Sequence, residues 1–148
     1  MLALKTLHIA AAVLWLGNFV VTGVWSIRAF LSGERSLERF ATREILFTDA
    51  IFTLGFGSAV VASGLILASM EGVAALATRW TATALAVAVA SGIVWLVLLL
   101  PLELRMHRLS ATNQAGTLRR LFLIWNLAGW AVTLALFAVI YLMVAKPT

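Results

Sequence analysis

Four long apolar runs constrain this chain more than any other feature. They cover about Leu2–Leu31, Ile45–Met70, Thr78–Leu102 and Leu118–Ala145. A hydrocarbon core about 30 Å thick takes roughly 20 apolar residues at about 1.5 Å each, and every run is that long. Backbone groups in lipid must be satisfied within the segment, so each run is predicted to be a membrane-spanning helix. Charged residues make up only 11% of the chain and mean hydropathy is +1.04. A soluble domain carries about 25% charged residues. This composition does not cover a soluble surface, and the short connections leave room for one membrane domain, 1–148.

The fold expected from four spans with short links is all-α, an up-down-up-down four-helix bundle. Arginine placement orients it. Arg28, Arg35, Arg39 and Arg43 flank or fill the first connection, and Arg105, Arg108, Arg119 and Arg120 the third. Those two connections share one side of the membrane, predicted to be cytoplasmic, with both termini outside and the inner membrane as the location. The opposite side holds Lys5, Arg79 and Lys146. The +5 net charge therefore sets topology, and nucleic-acid binding is excluded. The first run is too long for the apolar core of a signal peptide and is read as retained. With no cysteine, disulfides and thiolate-held clusters are excluded.

Polar residues inside lipid are costly and normally face protein, water or a cofactor. In the first helix, His8, Trp15, Asn18, Phe19, Thr22 and Ser26 share one face at 100° per residue. In the fourth, Asn126, Gly129, Trp130, Thr133, Phe137 and Tyr141 do the same. If the two faces meet, they line an aromatic pocket with a few polar groups, as cofactor sites do; the other reading is interhelical packing. His8 lies roughly 6–8 Å inside the outer end of its helix, near the level of Tyr141. Met143 ends the fourth helix on that side, and imidazole with thioether is a recognised haem iron pair and also suits copper.

Other polar residues have plainer readings. His107 lies at the opposite end from His8, so the two do not sandwich one haem; it is read as interfacial, or as part of an anion site. Asp49 is expected to pair with Arg43, Arg105 or Arg119, with proton handling as the alternative. Glu71 with Arg79 reads as a solvated pair. The charges of the first connection suggest a short surface helix with a solvated face. Small residues in the second and third helices (Gly55, Gly57, Ser58, Ala59; Ala82 to Gly92) predict close packing. No phosphate loop, H-E-x-x-H or nucleophile elbow is present, so enzymatic activity stays open.

The opening LKTLHIAAAVLWLGN resembles the first helix of a superfamily that includes CopD-type copper-resistance proteins and HemJ-type protoporphyrinogen oxidases, all bacterial. Over the whole chain, including LPLELRMHRL and the ending YLMVAKP, it resembles a domain-of-unknown-function family of four-helix membrane proteins in that group. The resemblance implies a bundle that binds haem b or a related tetrapyrrole, with His8 at the position of the HemJ-type first-helix ligand. The HemJ-type third-helix lysine has no counterpart, which argues against the oxidase reaction. The expected site is therefore His8, Trp15, Asn18, Asn126, Trp130, Phe137, Tyr141 and Met143, with His8 and Met143 as iron ligands. The expected role is electron transfer or porphyrin handling, and the expected partners are the lipid bilayer and a membrane-protein complex or homo-oligomer. A cofactor-free assembly subunit and a small metal or solute transporter remain as alternatives.

Overall fold

A computed structural model of the chain describes residues 1–70, 72 and 77–146. Four helices account for nearly all of them: α1 (Leu2–Leu31), α2 (Arg35–Met70), α3 (Arg79–Ser110) and α4 (Ala115–Ala145), each long and apolar enough to cross a membrane. The chain is a multi-pass integral membrane protein built as a helical bundle. The Glu71–Arg79 pairing falls outside the described residues.

Two helices are longer than their apolar runs. The first connection is the amphipathic start of α2, which runs unbroken from Arg35. Its charged face is not simply solvated: Glu38 is 1% exposed and holds Arg35 at 3.4 Å and Arg119 of α4 at 3.3 Å. The Arg35 guanidinium also donates to the Thr112 carbonyl in the α3–α4 turn. Helix α3 continues past Pro101 to Ser110. Proline lacks an N–H and crowds the preceding turn, and a π-helical stretch at Trp95–Leu99, just before it, accommodates the ring. A second π stretch, Asp49–Phe56, interrupts α2. Such stretches are rare and concentrate at functional sites.

Helix α1 packs along α2 and α4, and α3 along α4; α2 and α3 are close at the arginine-rich end and part toward the other. The main apolar core lies at the arginine-rich end, where Phe30 and Phe122 stack at 3.8 Å beside Ile45, Leu99 and Met106. A smaller core joins Trp15, Leu16, Ala88, Val132 and Leu136. Three glycines admit bulky rings. A Cβ at Gly23 would stand 3.2 Å from Trp130, one at Gly57 3.1 Å from Trp15, and one at Gly64 3.1 Å from His8 Cε1. Close approach at small residues is how membrane helices gain packing energy. At the end opposite the arginine-rich one the chain leaves α4 with Lys146 in the left-handed region (φ 42°), its ammonium 5.7 Å above the Trp80 ring.

Candidate functional site

The two π stretches face each other, and each opens with a residue of one buried polar column. Asp49 is 4% exposed and Trp95 is 7% exposed. Trp95 Nε1 donates to Asp49 Oδ2 at 2.9 Å. Asp49 Oδ1 accepts from Asn18 Nδ2 at 2.6 Å and from Thr53 Oγ1 at 3.1 Å. The Asn18 amide orientation follows, since its carbonyl accepts from Thr22 Oγ1 at 3.1 Å. Toward the arginine-rich end, Glu103 is 1% exposed and its Oε1 accepts from Trp125 Nε1 at 2.8 Å. Its carboxyl lies within hydrogen-bonding reach of that of Asp49. Every helix contributes to this column.

A cavity of about 20 Å³ adjoins it, lined by Phe19, Thr22 and Gly23 of α1, Asp49 of α2, Leu99 of α3, and Trp125, Asn126, Gly129 and Trp130 of α4. About 10–15 Å³ of such volume is enough for one water. Asn126 Nδ2 is buried there without a hydrogen-bond partner among the described residues. The polar faces of α1 and α4 therefore meet, but around a space the size of a water rather than a macrocycle, which needs hundreds of Å³.

His8 belongs to a separate place, near the end of the bundle opposite the arginine-rich one. Its Nδ1 lies 2.9 Å from Ser63 Oγ, and its ring packs on Gly64. The Ser63 hydroxyl donates to the Ala59 carbonyl at 2.5 Å. Because that hydrogen is committed, Ser63 Oγ accepts from Nδ1–H, and in the neutral ring Nε2 keeps its lone pair. On α4, Phe137, Tyr141 and Met143 are exposed at the helix surface. Trp15 is buried against Gly57, its Nε1 without a hydrogen-bond partner among the described residues.

Sequence reasoning sent Asp49 to an arginine. The structure spends those cations elsewhere: Arg119 on Glu38, and Arg43 on Glu44 at 2.9 Å. It also brings in Glu103, Trp95, Trp125 and Thr53, none of which the sequence singled out. His107 lines a surface recess of about 310 Å³ with Arg39, Arg43 and Phe40.

A family model described as "Predicted integral membrane protein (DUF2269)" matches residues 2–147. The chain belongs to this family. No curated protein and no solved structure matches it. Membership in DUF2269 accords with the four spans and assigns no chemistry, so the functional argument rests on the two places just described. Among the described residues of this DUF2269 protein, no three His, Asp or Glu side chains gather as a metal site.

Proposed function

We propose that this protein is a haem- or porphyrin-binding component of the bacterial inner membrane, both termini outside, serving electron transfer or porphyrin handling. The observation that carries the reading is the His8 imidazole held by Ser63, with Nδ1–H engaged and Nε2 left as a donor atom. Histidines that bind metals characteristically use the second ring nitrogen for such a bond, which fixes tautomer and ring orientation. Gly64 is the second support, because a side chain there would push the ring away.

His8 would hold the iron, and a haem would supply one-electron chemistry at that end of the bundle. Phe137 and Tyr141 offer aromatic surface on the outer half of α4, and Met143 is the candidate second ligand. Asn18, Asn126 and Trp130 serve the inner polar column and its water-sized cavity. Trp15 packs between the two places.

The test is chemical complementation. Purified His8→Gly titrated with haemin should lack the haem spectrum of the wild type, and added imidazole should restore it. Equal haem binding by wild type and His8→Gly would overturn the assignment.

A further inference from the structure

The carboxyls of Asp49 and Glu103 lie side by side in the core of the bundle, and their hydrogen bonds are unequal. Asp49 accepts three, from Asn18 and Thr53 at Oδ1 and from Trp95 at Oδ2, which engage both oxygens and leave Oδ2 able to accept one more. Glu103 accepts one, from Trp125 at Oε1, and its Oε2 meets no N–H or hydroxyl donor. No ion pair reaches either group among the described residues. The nearby charges are engaged or point away: Arg35 and Arg119 hold Glu38, Arg43 holds Glu44, and Arg28, Arg105, His107, Arg108 and Arg120 are exposed.

Two ionised carboxylates in contact, buried and without a cation, repel each other and pay desolvation twice. Ionised carboxylates only accept, so the contact becomes a hydrogen bond only when one of them carries a proton. The donor count says which. Three donors satisfy Asp49 as an anion, whereas Glu103 Oε2 is buried without a donor among the described residues.

We propose that Asp49 and Glu103 form a proton-binding pair within the membrane, in which Glu103 Oε2 carries the proton and donates it to the Asp49 carboxylate. The cavity beside Asp49, mostly apolar but with Thr22 and Asn126 in its wall, has the volume to hold one water through which that proton can pass. Ser110, the last residue of α3, is only about 10 Å along the axis from Glu103, so the site is filled from the arginine-rich side. The two π stretches deliver Asp49 and Trp95 to the same point, which gives the site its shape. This inference is independent of haem at His8.

Infrared spectroscopy of the full-length protein in lipid tests it. At neutral pH the wild type should show the carbonyl stretch of a buried carboxylic acid, shifting in heavy water and lost in Glu103→Gln. In Asp49→Asn the stretch should move, since its acceptor becomes an amide. Glutamate labelled with a heavy carboxyl carbon should shift the band in the wild type, and labelled aspartate should not, which secures the assignment even if neither variant folds. A wild type without the band, or a band that follows labelled aspartate, would overturn the proposal.

Discussion

Trp95 Nε1 and Asp49 Oδ2, 2.9 Å apart, tie together the first residues of the two π stretches in the bundle. This bond closes the contact between α2 and α3 at the depth where Asn18 arrives from α1. Trp95→Phe keeps most of the ring and deletes the donor. Losing a hydrogen bond to a charged group costs about 1.5–3 kcal/mol, so the variant should melt earlier in detergent. Unchanged melting would mean that the bond does not hold the helices together.

Asn18 donates to the other oxygen of the same carboxylate. Asn18→Ala is expected to cost about 1.5–3 kcal/mol by the same reasoning. Because the two donors share one acceptor, the double variant should depart from additivity. Chemical denaturation of both singles and the double measures this. Simple addition would contradict a shared network.

The glycines give a graded series. Gly17 has open space around it, so Gly17→Ala should be neutral or stabilising by about 0.5–1 kcal/mol, as alanine is the better helix former. At Gly23 a new Cβ would meet Trp130 at 3.2 Å, and overpacking of this kind costs about 1–3 kcal/mol. Gly64→Ala should displace His8 and reduce haem affinity at least tenfold while the inner column stays intact. Thermal melting and haemin titration of the three variants separate these effects.

Glu38 is the buried anchor of the arginine-rich face. Glu38→Ala removes the shared partner of Arg35 and Arg119, both of which reach water. The expected loss is about 1–3 kcal/mol, since the cations can rehydrate and only the hydrogen bonds are forfeited. Hydrogen exchange at the α3–α4 turn should accelerate in this variant. Unaltered protection there would show that the cluster does not fasten the turn.

Much of the fold was legible because lipid imposes length and composition on every span. The ends were less so: the third apolar run stops at Leu102, yet α3 continues through Pro101 to Ser110 behind a π stretch at Trp95–Leu99. Asp49 and Thr53, four residues apart, share a face on any helical wheel, but Trp95 lies on another helix, and a wheel does not say which residues of two helices meet. Glu103 was readable in principle, since Trp95, Leu99, Glu103, Met106 and Ser110 recur at helical spacing and are all buried. It stands just past the end of the third apolar run, beside Arg105, where a charge is ordinary. His8 stood out as an isolated polar group in lipid, yet nothing in its own helix pointed to Ser63 and Gly64, which lie far along the chain.

The most direct measurement is the optical spectrum of protein purified from haem-replete cells, oxidised and then reduced with dithionite, alongside His8→Ala. The account predicts a Soret band that shifts on reduction in the wild type and is absent from the variant, with Asn18→Ala retaining it. A colourless wild type, or a band that survives loss of His8, would contradict it.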